Sequence, residues 1–245
     1  MGLATRVIPV ILCRGRQMVK GKRFESWRSV GLAAQSVRIH QSRGVDELVL
    51  LDISATHEGR GPDLDLVREL SESCFMPLSV GGGISNIKHA KELLRAGADK
   101  LVIGTAGPTA IREISNAIGA QAIIASIDYR EDGQTRTRSG TQPTGHSVLD
   151  LSRICEDSGA GEILLTAIER EGEMQGYDLE TIKAVSAAVS IPVIAHGGCG
   201  TYEHMHQAIK AGASAVAAGS IFLFEDATPR GACEYLGQHN VEVRL

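Results

Sequence analysis

The sequence lacks an excess of basic residues, a long uninterrupted apolar run and a large share of proline. Its 245 residues include 25 Lys and Arg against 29 Asp and Glu, and 7 prolines against 28 glycines. A net charge of −4 with mixed signs offers no broad basic face, so we predict no nucleic-acid partner. The composition also argues against a disordered chain, a collagen and a membrane span. Any recognition of phosphate must therefore be local.

The sequence also lacks a cysteine pattern typical of disulfides or zinc sites. Its five cysteines include no C-x-x-C pair and no histidine at a zinc-ligand spacing. We therefore predict reduced, mostly buried thiols, no bound metal and no cofactor. The apolar stretch 7–12 lies between Arg6 and Arg14 and is shorter than the core of a signal peptide. We expect a cytoplasmic protein.

Eight short runs of aliphatic and β-branched residues alternate with longer stretches that have helical spacing. This alternation is typical of a parallel α/β sheet, and eight strands with intervening helices predict a closed (β/α)8 TIM barrel. No linker divides the chain, so we expect residues 1–245 to form a single barrel domain. The predicted strands are 6–12, 47–53, 76–80, 100–104, 121–128, 162–168, 191–195 and 215–219.

An internal repeat with an offset of 115 residues relates the two halves of the chain. The matched pairs are Glu47 with Glu162, Gly82-Gly83 with Gly197-Gly198, Gly97-Ala98 with Gly212-Ala213, and Gly104-Thr105 with Gly219-Ser220. Such self-similarity indicates a duplicated unit. We therefore expect a barrel made of two half-barrels with approximate twofold symmetry.

Glycines cluster after the third and fourth predicted strands of each half. The working end of such a barrel is the C-terminal face of its strands, where glycine lets the backbone approach an oxyanion and helix-start amides donate to it. Each half is thus expected to hold one phosphate of a phosphorylated small molecule, although tight turns alone would also explain the glycines. The candidate phosphate-binding residues are Gly82, Gly83, Gly104, Thr105, Gly197, Gly198, Gly219 and Ser220.

Motifs along nearly the whole chain resemble the cyclase subunit of imidazole glycerol phosphate synthase. They are RVIPV, VKGKRFE, DELVLLDISA, VGGGI, GADKLVIGTA, GAQAIIASID, GAGEILLTAIEREGEMQGYD and VEVRL. The resemblance implies a heterodimer in which a glutaminase subunit docks at the N-terminal face of the barrel and ammonia passes through the interior. At the other face, ammonia would meet a bisphosphorylated ribonucleotide and yield imidazole glycerol phosphate and an aminoimidazole carboxamide ribotide.

The resemblance also implies two catalytic carboxylates, at the ends of the first and fifth strands. Asp128 matches the second, but Leu12 stands where the family has the first, and Cys13 follows it. No Asp or Glu occurs before Glu25 that could replace it. General acid–base catalysis contributes about 10²- to 10⁴-fold, so the loss of one partner should cripple ring closure.

Three further departures from the family lie at the same end of the barrel. Gly104 stands where the family has Asn, and His196 replaces a small hydroxyl residue. The segment 169–172 reads Glu-Arg-Glu-Gly instead of Asp-Arg-Asp-Gly. Together they indicate that the substrate end of this barrel has changed.

Two other sets of residues match functional positions of the family. Lys20 lies in the basic segment 13–30, where the resemblance implies a flexible loop that closes over substrate, although a solvated charge run is an equal alternative. The other set would close the floor of the barrel as a gate for ammonia, or would simply plug it with salt bridges. The gate residues are Arg6, Glu47, Lys100 and Glu162.

These features lead to one hypothesis with two alternatives. Segment 73–78 resembles a branch of the family associated with surface-polysaccharide (O-antigen) biosynthesis, so we first expect an ammonia-conducting subunit that serves a separate sugar amidotransferase. The first alternative is a genuine cyclase subunit (a lyase) of histidine biosynthesis, in which Asp128 suffices or is assisted by Cys13 or His196. The second is a scaffold that only activates its glutaminase partner.

Overall fold

The computed structural model describes residues 4–244, and its strands and helices alternate along the chain. The strands are β1 (Arg6–Arg14), β2 (Gln17–Lys22), β3 (Glu25–Leu32), β4 (Leu48–Asp52), β5 (Leu78–Gly81), β6 (Lys100–Ile103), β7 (Ile123–Tyr129), β8 (Gln134–Thr137), β9 (Gln142–Ser147), β10 (Glu162–Ala167), β11 (Val193–His196) and β12 (Ala215–Ala218). The helices are α1 (Ala33–Ser42), α2 (Leu64–Ser71), α3 (Ile87–Ala96), α4 (Gly107–Ile118), α5 (Val148–Asp157), α6 (Leu179–Ala188), α7 (Tyr202–Lys210), α8 (Ile221–Phe224) and α9 (Pro229–Gln238).

Eight of these strands form a closed parallel barrel. They are hydrogen-bonded in the order β10, β11, β12, β1, β4, β5, β6 and β7, and β7 pairs in turn with β10. Helices connect successive barrel strands. The predicted (β/α)8 TIM barrel is confirmed, and each predicted strand overlaps one strand of the barrel.

The twofold repeat is visible in the backbone. Helices α2 and α6 begin 115 residues apart, and an aspartate caps each. Asp63 accepts from the amide of Leu66, and Asp178 accepts from that of Thr181, so the same capping interaction fixes both helix starts. Each half also carries an antiparallel hairpin after its first barrel strand, β2–β3 in one and β8–β9 in the other.

Alternation along the barrel strands separates two apolar layers. Val7 and Ile11 of β1 pack in the outer layer, between sheet and helices, while Ile8, Val10 and Leu12 point into the barrel. The interior layer is completed by side chains from the other strands. They are Val49, Val102, Ile124, Leu164, Ile194, Ala215 and Ala217.

The structure differs from the sequence-based expectations in three places. The segment 13–30, expected as a loop, forms most of hairpin β2–β3. A second hairpin, β8–β9, and helices α8 and α9 were not predicted. All five cysteines are free and four are buried, as predicted. No helix among the described residues is long and apolar enough to span a membrane.

Candidate functional site

The C-terminal face of the barrel opens into a cavity of about 120 Å³. Side chains from most barrel strands and from hairpins β2–β3 and β8–β9 surround it. It contains both residues at the predicted catalytic positions and all four first-half phosphate candidates. Those residues are Leu12, Asp128, Gly82, Gly83, Gly104 and Thr105, together with Phe24, Trp27, Leu51, Asp52, Ile53, Thr56, Ile84, Val102, Ser126, Arg136, Thr137, Ser139, Thr166 and His196.

Asp128 lies near the end of β7 and faces this cavity. Burial raises the pKa of its carboxyl to about 7, and the nearby Glu171 adds to that effect. The hydroxyls of Thr166 and Ser126 favour the ionised form, so they lower the pKa and partly offset that increase. A carboxyl that titrates near neutral pH can both accept and return a proton there, which suits general acid–base catalysis.

Leu12 forms part of the apolar wall of the same cavity. It is 3% exposed and packs with the interior layer of the barrel. No described residue of β1 therefore presents a carboxylate to Asp128. Cys13 points to the outer layer, where burial raises the pKa of its thiol to about 12. The geometry gives no support to an assisting role for Cys13.

Asp52 is the other acidic residue among the described residues that line the cavity. Its carboxylate accepts hydrogen bonds from Arg60 at 2.7 Å and from the hydroxyl of Ser54 at 2.9 Å. The backbone amide of Ser54 donates to it as well, at 3.0 Å. These donors fix the Asp52 carboxylate in the wall of the cavity and occupy both of its oxygens.

The eight predicted phosphate-binding residues divide between two cavities. The first-half residues line the cavity that contains Asp128, whereas the second-half residues line a separate one of about 10 Å³, beside Glu171 and His196. A space of that size holds about one water molecule. Packing alone requires some of these glycines, since a Cβ on Gly82 would strike the carbonyl of Asp52, and one on Gly198 that of Gly176. Phosphate binding by either set stays a prediction.

Lys20 is buried in the structure. It lies on β2, is 2% exposed, and its Nζ contacts Gly219. That Nζ has no hydrogen-bond partner among the described residues. Burial lowers the pKa of the ammonium group, while the charge of Glu171 opposes the shift. Hairpin β2–β3 therefore places the amino group of Lys20 beside the second-half phosphate candidates. Closure of this segment over substrate stays a prediction.

The four predicted gate residues form a closed ring at the N-terminal ends of the strands. Arg6 lies 2.6 Å from Glu47 and 2.5 Å from Glu162, and Lys100 lies 3.2 Å and 2.6 Å from the same two carboxylates. Ser79 donates to Glu47 at 2.7 Å. Burial acts to raise the pKa of Glu162, but its two cationic partners outweigh burial and hold that pKa low. Each ion thus has two partners of opposite charge.

The structure adds residues to the site that the sequence reasoning did not select. Ser126 lies two residues before Asp128 on β7, and Thr166 is the residue of β10 that pairs with Asp128. Both line the cavity. The period-two alternation of β7 and β10 was the signal that could have identified them. Within residues 4–244, no three His, Cys, Asp or Glu side chains are grouped to hold a metal ion.

Comparison with known proteins shows the family. The model of the histidine biosynthesis protein family matches residues 6–228. Relatives named imidazole glycerol phosphate synthase subunit HisF match along nearly the whole chain. One from Chlorobium phaeobacteroides (strain BS1) is 42% identical over 250 residues, covering 99% of this chain and 100% of the relative. Those from Dictyoglomus thermophilum and Thermococcus gammatolerans are 41% and 39% identical, each covering 99% of both chains. The chain therefore belongs to the histidine biosynthesis protein family and, within it, to the family of the imidazole glycerol phosphate synthase cyclase subunit.

Proposed function

We propose that residues 1–245 form the cyclase-type subunit of an imidazole glycerol phosphate synthase. The subunit would receive ammonia from a glutaminase partner at the N-terminal face and use Asp128 to close an imidazole ring on a phosphorylated ribonucleotide. The observation that carries the proposal is the position of Asp128 in the cavity at the C-terminal face, where burial raises the pKa of its carboxyl to about 7. None of the three relatives is named for sugar amidation. Our first expectation, a polysaccharide role with a sugar amidotransferase partner, therefore gains no support.

The described residues supply three parts of this activity. The ring of Arg6, Glu47, Lys100 and Glu162 closes the floor, and movement of one cation would open it to ammonia. Above the ring, the apolar interior layer favours neutral ammonia over a charged ammonium ion. At the far end, Asp128 would accept the proton that the ammonia-derived nitrogen loses when it forms a bond to carbon.

A second candidate function is ammonia conduction without ring closure. The observation that favours it is Leu12, an apolar residue where the resemblance implies a catalytic acid. In this alternative, the barrel passes ammonia to an acceptor bound elsewhere, and Asp128 only lines the exit.

An assay with ammonium salt and the bisphosphorylated ribonucleotide separates the two candidates. If the proposed function holds, the chain forms imidazole glycerol phosphate without a glutaminase, and Leu12→Asp changes that rate together with its pH dependence, because a second acid enters the cavity. The matched control is Leu12→Asn, which has a similar size and polarity but no titrating group. A chain that forms no product until Leu12→Asp is introduced would favour the second candidate.

Lys100→Met tests whether the ring admits ammonia or only plugs the barrel. We expect the variant to lose the glutamine-dependent rate, because the gate cation is gone, and to keep the rate with ammonium salt and the stimulation of the glutaminase. Lys210→Met, on the exposed end of α7, is the control. Equal loss of both rates would identify the ring as purely structural, and no loss of either would show that Lys100 does not control the entry of ammonia.

A further inference from the structure

Three side chains on neighbouring strands form one row that faces the cavity of about 120 Å³ at the C-terminal face. In the strand register, Asp128 of β7 pairs with Thr166 of β10, and Thr166 pairs with His196 of β11. All three line the cavity. The Thr166 hydroxyl is near enough to Asp128 to lower the pKa of its carboxyl, and Oγ1 of Thr166 lies 3.2 Å from Nδ1 of His196. A hydroxyl can donate and accept at once, so Thr166 can link the two titratable groups on either side of it.

The far side of His196 faces an acid. Its Nε2 lies 3.7 Å from Oε2 of Glu171, and the two residues are 4% and 5% exposed. That Nε2 has no hydrogen-bond partner among the described residues. His196 also lines both cavities, so it forms the wall between them. A buried nitrogen without a partner is costly, and this one points toward a carboxylate.

We propose that His196, held opposite Glu171, is the second acid–base group of this cavity and exchanges one proton with Asp128 through Thr166. The proposal rests on the proposed ring-closing function, because it supplies the group that Leu12 cannot. It places that group on β11 instead of β1. Thr166 and Glu171 are positioning residues in this arrangement.

The exchange moves one proton between two end states. In the first, Asp128 is ionised and His196 is neutral, with its proton on Nε2 facing the Glu171 carboxylate. In the second, Asp128 is ionised again and His196 is an imidazolium that holds the proton taken from the ligand. After Asp128 takes a proton from the ligand, it donates that proton to Oγ1 of Thr166, and the hydroxyl proton of Thr166 moves to a neutral His196 at Nδ1. The reverse sequence protonates Asp128 again, so that it can act as an acid in the next step. The row thus holds one proton taken from the ligand and returns that proton in the next step.

The charged groups around His196 set its pH dependence. Burial lowers the pKa of His196, Glu171 opposes that shift and Lys20 adds to it. Asp128 faces it through Thr166, and Cys199, whose thiol pKa burial raises to about 12, lines the same small cavity. Removing the Glu171 charge should therefore lower the pKa of His196, since the largest opposing influence is lost.

The experiment measures the His196 titration by NMR in the full-length chain, assigned by its absence in His196→Gln. We expect Asp128→Asn to shift the titration midpoint of His196, and Glu171→Gln to lower it. In the ring-closure assay, His196→Gln should reduce kcat by at least about tenfold and remove one limb of the pH–rate profile, with little change in KM. His146→Gln, an exposed histidine of β9, should change neither.

The NMR readout does not depend on turnover. If the natural chain closes no ring, the proposed function fails, while a shift in the His196 titration in Asp128→Asn still supports the relay as a property of the cavity. An unmoved titration in that variant overturns the relay. So does a pH–rate profile that keeps its shape in His196→Gln.

Discussion

Asp128→Asn should reduce ring closure with ammonium salt by about 10²- to 10⁴-fold, the usual contribution of general acid–base catalysis. The amide keeps the size of the side chain and can still interact with Thr166 and Ser126, but it cannot take up and return a proton. The reduction should appear in kcat, with a small effect on KM, because the phosphate candidates lie on other strands. Initial rates at saturating ribonucleotide measure it.

The control for this variant is Asp157→Asn, which removes an exposed carboxylate at the end of α5 and should leave the rate unchanged. A rate in Asp128→Asn within a few-fold of the natural chain would show that another group performs the proton transfer. The proposed role of Asp128 would then be wrong.

The same variant should be more stable than the natural chain at neutral pH. The pKa of Asp128 is raised to about 7 by burial, against about 4 for an unfolded aspartate. The folded state therefore binds the Asp128 proton more tightly than the unfolded state does. The stability that this proton binding contributes is fully present below pH about 4 and is lost as pH rises to about 7. Thermal melts from pH 4 to 8 should show the advantage of Asp128→Asn growing over that window and levelling off above it. A constant difference would indicate an unshifted carboxyl.

Of the substitutions proposed for this chain, Glu47→Ala should reduce the free energy of unfolding most, by about 3–5 kcal/mol. It removes one partner from a buried ionic network. Glu47 is 2% exposed and contacts Arg6, Lys100 and Ser79. Its loss leaves two cations sharing the single carboxylate of Glu162. For a chain of this size, we expect Tm to fall by roughly 10 °C.

Chemical denaturation and thermal melts measure this loss. Glu72→Ala, which removes an exposed glutamate at the end of α2, is the control and should change stability little. If Glu47→Ala and Glu72→Ala unfold at the same denaturant concentration, the ring contributes nothing to stability.

The barrel could be predicted from the sequence because its strands carry a strong signal. Apolar runs, turn glycines and a repeat at 115 residues all indicated the same architecture. The two hairpins could not be predicted in the same way. The eight residues of β3 are partly or fully exposed, and β9 contains both Pro143 and Gly145, so neither has the period-two burial that marks a strand.

The site was predictable only in part, for a related reason. Asp128 and the ring residues lie on regular strands, where register follows from the pattern. The approach of Glu171 to His196 depends instead on a short turn at Ile168–Arg170 that follows β10. The burial of Lys20 depends on the unpredicted hairpin. Irregular backbone carries no periodic signal, so these contacts required the structure.

The unequal cavities have a consequence for how a ligand enters the barrel. Two identical halves would accept a molecule with a phosphate at each end either way round. Here one cavity measures about 120 Å³ and the other about 10 Å³, and Asp128 has no acidic counterpart on β1. The two half-barrels therefore differ at the C-terminal face, although their backbones repeat. If both sets of glycines bind phosphate, we expect a two-ended ligand to have one productive orientation, with its bulkier part on the side of Gly82 and Gly104.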